Sequence, residues 1–223
     1  MSEHPQSTAL LCRFYYRFLR EGRTADFIAA TAEHYTLATL HRLTQSHNPA
    51  TRRSAVLAVT FLGGESSLPF VGPCLRDTDR AVRLIASDGI HSLWTRSGPP
   101  HHCHKLQCLS RQNTTGEFEE VIEGCDKILV EQPDFAEAWH QRGIAVRSET
   151  SISESIDDFA QALNCDPFHF TSALAIGDCY LQLDNPTLAL LYFQCAVEIS
   201  PDLEFAQIQI KRLERIISER LDH

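Results

Sequence analysis

The segment "RSGPPHHCHKLQC", Arg96 to Cys108, gathers residue types that bind metals and exchange electrons: His101, His102, Cys103, His104 and Cys108 stand within eight residues. On a helix, His101, His104 and Cys108 are spaced i, i+3, i+7 and share a face, so two imidazoles and a thiolate could converge on zinc. A structural zinc site takes four ligands, and the spacing supplies no fourth. Cys103 and Cys108 lie five residues apart, a poor separation for a disulfide within one helix. The competing reading is a joint between two parts of the chain. "SGPP" ends one helical segment, and proline suits the first turn of the next. The sequence favours the joint and keeps a metal-dependent site at His101, His104 and Cys108 as the alternative.

Other reactive constellations are missing from the sequence. It holds no phosphate-cradling glycine loop, no Gly-x-Ser-x-Gly elbow, no His-Glu-x-x-His and no Cys-x-x-Cys. Asp157 and Asp158 are adjacent, so a helix points them to different sides and they do not pair for acid–base work. The eight scattered cysteines fit neither a secreted disulfide framework nor a zinc ribbon, and most read as small buried hydrophobes. A hydrophobic content of 43% is that of a soluble chain. No run approaches the roughly 18 apolar residues of a membrane span, and the start "MSEHPQSTALLCRFYYRFLREG" lacks the apolar core of a signal peptide. A cytoplasmic, non-enzymatic protein without a cofactor is expected.

The net charge of −9 is divided unevenly. Residues 1–100 carry 11 arginines, no lysine and 8 acids; residues 101–223 carry 9 basic residues and 21 acids. The second part is therefore strongly acidic, which argues against nucleic acid as a partner, because phosphate contacts need a positive surface.

The elements behind this division show as repeats. Pro133, Pro167 and Pro201 are each 34 residues apart, and each follows an amphipathic segment: "EEVIEGCDKILVEQP", "SIDDFAQALNCDP" and "ALLYFQCAVEISP". The same period pairs Gly143 with Gly177, Phe159 with Phe193 and Ala162 with Ala196. Small residues let two helices approach while the phenylalanine fills the space between them. Such a helix pair cannot hide its apolar face alone and stacks on its neighbours.

These residues resemble the tetratricopeptide repeat. Trp139, Gly143, Phe159, Ala162 and Pro167 hold the signature places of the middle unit, and Gly177, Tyr180, Ala189, Phe193, Ala196 and Pro201 those of the last. The first unit departs, with Lys105 for the usual tryptophan and Leu109 for the usual glycine; the middle unit has Thr150 for a glycine and Ser155 for an alanine. "DLEFAQIQIKRLERIISERL" is expected to be a terminal capping helix.

In the first half a looser period of 31 residues matches Arg52, Ala55 and Ala58 with Arg83, Ala86 and Gly89, with "ESSLPFVGPCL" as a shorter helix between them. "DTDRAVRLIA" looks like the second helix of a HEAT-like repeat, in which Asp and Arg hydrogen-bond along the stack; Thr51 replaces a usual valine. Arg52, Arg53, Arg76, Arg80 and Arg83 either form a patch for an acidic partner or pair internally with Asp77, Asp79 and carbonyls. Upstream, Leu10, Leu11, Phe14, Tyr15, Phe18 and Leu19 share a helical face opposite Arg13, Arg17 and Arg20, as in a helix that lies on a membrane or, more commonly, opens a domain.

The expected fold is all-α: an α-solenoid of antiparallel helix pairs, HEAT-like over 1–98, then about three tetratricopeptide repeats and a capping helix over 99–223. The resemblance implies a scaffold or adaptor that binds a partner peptide or helix in its groove. That groove is lined by the exposed positions of each first helix: Glu137, His140, Ile144 and Arg147, then Thr171, Leu174, Asp178, Leu181 and Gln182. The acidity of this half favours a basic and apolar partner, and self-association is a further expectation. The alternative is an enzyme or enzyme accessory, by analogy with lyases that carry HEAT-like repeats or through the metal-dependent site.

Overall fold

A computed structural model of the chain describes residues 5–149 and 151–221; Thr150 lies outside them. Every regular element among the described residues is helical. The chain divides into two compact units, Met1–Arg96 and Ser97–His223.

In the first unit α1 spans Pro5–Glu21, α2 Thr24–His34, α3 Leu37–Leu43 and α4 Pro49–Leu62. Leu11 and Tyr15 of α1 are buried, and Phe18 meets Phe27 of α2 and Phe61 of α4 at ring separations of 5.4 and 6.4 Å. The apolar stripe of α1 thus faces its own unit, although Leu19, which periodicity places on that stripe, is exposed. "ESSLPFVGPCL" is not one helix: a 3-10 turn at Glu65–Ser67, a short α5 at Leu68–Val71 and a second 3-10 segment at Gly72–Arg76 replace it. Pro69 and Pro73 stand in the first turns of α5 and of the second 3-10 segment, where a missing N–H is tolerated, whereas inside one continuous helix each would break the ladder.

The α6 helix, Arg80–Trp94, packs on α4. Asn48 and Asp79 cap the two helices, their carboxamide and carboxylate oxygens accepting from Ala50 N–H at 2.9 Å and Val82 N–H at 3.1 Å. The arginines opening α4 are paired internally. Arg52 Nε donates to Asp77 Oδ2 at 2.7 Å and Nη2 to Oδ1 at 2.6 Å, and Arg53 forks onto Asp79 in the same way. The Arg53 fork brings the Asp79 carboxyl down to about 2. Arg83 donates to the Asp77 carbonyl at 2.9 Å. Arg52, Arg53 and Arg83 therefore fasten the turn before α6, and as paired groups they do not offer the acidic-partner patch.

In the second unit α7 spans Pro100–Thr115, α8 Phe118–Glu131, α9 Ala136–Glu149, α10 Ile152–Cys165, α11 Phe170–Gln182, α12 Pro186–Ile199 and α13 Glu204–Leu221. Each helix packs on the next in chain order, which is the arrangement of a solenoid. Gly143 of α9 lies so close to Phe159 of α10 that an added Cβ would stand 2.7 Å from its Cε1; at Gly177 the corresponding distance to Phe193 is 3.0 Å. The α7–α8 pair reverses this fit. Leu109 occupies the glycine place on α7, and α8 supplies Gly124 beneath it, where a Cβ would overlap Leu109 Cδ2. On α13 Ala206 and Leu213 are buried while Phe205 and Ile208 are exposed, so the helix packs along one side.

Arg142 of α9 ties three helices, with Nε 2.7 Å from Asp126 Oδ1 of α8 and Nη1 2.6 Å from Asp158 Oδ1 of α10. Asp158 Oδ2 is buried without a partner. Burial pushes this carboxyl up to about 6 against the pull of Arg142.

The packing makes two outcomes measurable. Gly124→Ala and Leu109→Ala each destabilise the chain, the first by about 1 kcal/mol net of alanine's helix preference and the second by about 2–5 kcal/mol. The double variant should lose less than the sum of the two, by about 1 kcal/mol; additive losses in urea melts would show that the two side chains do not meet. For Asp158 the folded value of about 6 lies above the unfolded one, so folding takes up a proton between them. Its contribution therefore falls as pH rises from about 4 to about 6. Denaturation midpoints of Asp158→Asn should lack that decline, and an identical slope in both proteins would contradict the assignment.

Candidate functional site

The groove positions expected from the repeat lie on α9 and α11, and the structure treats the two helices differently. On α11 Thr171, Leu174, Asp178 and Leu181 are half-buried and Gln182 is exposed. On α9 Ile144 and Arg147 are half-buried, but Glu137 is only 7% exposed and His140 only 9%. Glu137 and His140 are therefore not exposed lining residues, a correction to the sequence reading.

Their burial has a hydrogen-bonded cause. Glu137 Oε2 lies 3.1 Å from Nε2 of His169, in the turn before α11, and Oε1 accepts from Gln141 Nε2 at 2.7 Å. His169 Nδ1 is 2.9 Å from Ser172 Oγ, which is also 2.9 Å from His140 Nδ1. Asn113 of α7 donates to both the side-chain and main-chain oxygens of Gln141, at 2.8 and 2.9 Å. One direction of donation satisfies the central groups: His140 Nδ1–H to Ser172, Ser172 O–H to His169 Nδ1, and His169 Nε2–H to Glu137. The network joins α7, α9 and the start of α11. Burial opposes the Glu137 charge, yet the His169 hydrogen bond and the neighbouring imidazoles outweigh it and hold the carboxyl below its usual range.

Carboxylate, imidazole and hydroxyl in series are the parts of a nucleophilic triad. Here His169 and Ser172 are both 0% exposed, so no substrate carbonyl reaches the hydroxyl, and the series acts as a structural relay. Sequence reading missed it because Glu137 and His169 are 32 residues apart, in no known motif. The available signal was the crowding of polar Glu137, His140 and Gln141 on a helix whose other buried residues are small.

What remains accessible is mixed in character. Burial raises the Asp178 carboxyl and nearby Arg147 lowers it in part, so this acid is sensitive to whatever covers it. The other candidate site also changes composition. His101 and His104 are exposed and Cys108 is half-buried, but residues seven apart stand about 10 Å apart along a helix, too far to share one ion end to end. Among the described residues, the ligating side chains that do converge are His101, His102 and Glu131. Of the eight cysteines, Cys74, Cys103, Cys125 and Cys179 are buried and the other four half-buried; burial lifts Cys74 and Cys125 to about 12, which leaves both thiols inert near neutral pH. No helix among the described residues is long and apolar enough to cross a membrane.

The relay gives a further prediction. Glu137→Gln keeps the shape and removes the charge, and should destabilise the chain by about 1–3 kcal/mol near neutral pH. Because the folded carboxyl is held low, the stabilisation is complete above about pH 4.3 and is lost as pH falls through the folded value. The gap between wild type and variant should therefore close in acid; a gap that is constant with pH would mean that the charge contributes nothing.

No family model matches the chain. Over 138 residues, 62% of this chain and 67% of the other, it is 23% identical to a TPR repeat-containing protein of Rhizobium etli. Among solved structures, residues 41 to the end of MamA from Desulfovibrio magneticus RS-1 match 89% of this chain and 97% of that one at 14% identity and TM-score 0.43. YrrB, described as a TPR protein with an unusual peptide-binding site, matches 89% and 97% at 16% identity and TM-score 0.46. TTC0263, a thermophilic TPR protein of Thermus thermophilus, matches 92% and 98% at 15% identity and TM-score 0.41. By residue pattern and curated relative, the chain is similar to tetratricopeptide repeat proteins.

Proposed function

We propose that the chain is a non-catalytic interaction scaffold whose second unit takes a partner peptide or helix against α9 and α11. The observation that carries this reading is the row of half-buried positions Ile144, Arg147, Leu174, Asp178 and Leu181, which keep part of their surface while the polar groups beside them are consumed by the relay. An apolar row carrying Asp178, with Arg147 beside it, suits an amphipathic segment with a basic residue opposite Asp178. The acidic excess of residues 101–223 draws such a segment at long range. Thr171 and Gln182 complete the lining at its edges. Residues 1–98 are read as a HEAT-like repeat domain, in which the Arg52–Asp77 and Arg53–Asp79 pairs play the part of that repeat's Asp–Arg ladder. A cytoplasmic adaptor is the role this combination favours.

The test is selection from a random peptide display library on the intact chain, followed by fluorescence anisotropy of the selected peptides. Peptides enriched in Lys, Arg and apolar residues are expected. Asp178→Lys should weaken them by about tenfold or more and reduce the salt dependence of binding. Failure to enrich any sequence class, or affinities unchanged by Asp178→Lys and Leu181→Glu, would remove the groove from the account.

A further inference from the structure

His101 and His102 open α7, Glu131 closes α8, and the antiparallel pairing brings these two ends together. One ligand atom from each residue lies within 4.8 Å of the others. His102 Nε2 and Glu131 Oε2 are 3.3 Å apart. That is longer than the roughly 2.7–2.9 Å of a charge-assisted hydrogen bond. It equals the separation of two ligands bound at about 2.0–2.1 Å to one tetrahedral ion, about 3.3 Å. The rings of His101 and His102 have centroids 4.0 Å apart, so both imidazoles are already on the same side of the helix end.

The cluster differs from an exposed group of charges in one respect. His102 is buried, so its imidazole is held in place by packing, and Nε2 is the nitrogen it turns toward Glu131. Around this fixed imidazole, Glu131 is 66% exposed and His101 is exposed, leaving an approach from solvent and room for water in the remaining coordination positions. Two imidazoles with one carboxylate suit zinc-class ions; magnesium and calcium demand oxygen ligands.

We propose that His101, His102 and Glu131 bind one zinc ion, with water completing its shell, and that the ion staples the start of α7 to the end of α8. The site is independent of the groove on α9 and α11, and His104 and Cys108 take no part in it. Binding only to the folded hairpin raises the thermal midpoint, by an amount that grows with the logarithm of free zinc once the site is filled.

The experiment uses the full chain stripped of metal with chelator and titrated calorimetrically with zinc alone, with cobalt(II) absorption as a readout of coordination. One equivalent of zinc should bind, and the midpoint of thermal unfolding should rise with it. His101→Ala and Glu131→Gln change exposed side chains, so both should fold as wild type by circular dichroism, and each should weaken binding by at least about tenfold. His104→Ala and Cys108→Ser should bind as wild type. No saturable binding overturns the proposal, as does binding that survives either His101→Ala or Glu131→Gln, or that is lost with His104→Ala or Cys108→Ser.

Discussion

A carboxylate removed from water is costly by several kcal/mol unless hydrogen bonds and opposite charge surround it, and Glu137 is such a carboxylate. Its two oxygens are answered by His169 and Gln141, and those partners in turn engage Ser172, His140 and Asn113. Apolar packing between helices is non-directional and tolerates sliding; a chain of hydrogen bonds a few ångströms long does not. The relay thus fixes how α9 sits against α7 and against the turn into α11, while the glycine–phenylalanine contacts set how each helix approaches its own partner.

That constraint shapes the exposed face. By drawing Glu137 and His140 inward it takes a charge and an imidazole off the accessible surface, and leaves aliphatic surface at Ile144, Leu174 and Leu181 with Asp178 and Arg147 beside it. The charge left on this face is that of Asp178 with Arg147 beside it, set in a mainly aliphatic row. Arg142, bridging Asp126 and Asp158 between the helices, is already committed and adds rigidity.

Much of this was legible in the sequence because repetition is legible. The 34-residue spacing of Pro133, Pro167 and Pro201 located six helices of the second unit, and the terminal helix followed from its interleaved apolar and charged residues. The reversed fit of Leu109 on Gly124 was visible only as a departure at Leu109, since compensation across two helices has no fixed spacing. Pro69 and Pro73 were present to be read, yet the apolar residues around them suggested one helix where three short turns form. The relay and the His101–His102–Glu131 cluster were illegible for one reason: each joins residues about thirty positions apart that only helix pairing brings together. The i, i+3, i+7 pattern of His101, His104 and Cys108 suggested a convergence that the structure gives instead to His101, His102 and Glu131, because a shared face is not a shared point.

The central claim is that a partner lies along α9 and α11 of the second unit. Its most direct measurement is backbone amide chemical-shift mapping of the isotopically labelled full chain during titration with a selected basic and apolar peptide. The account predicts that the largest shifts fall at Ile144, Arg147, Leu174, Asp178 and Leu181. Largest shifts on α8, α10 or α12, with those five positions unmoved, would contradict it.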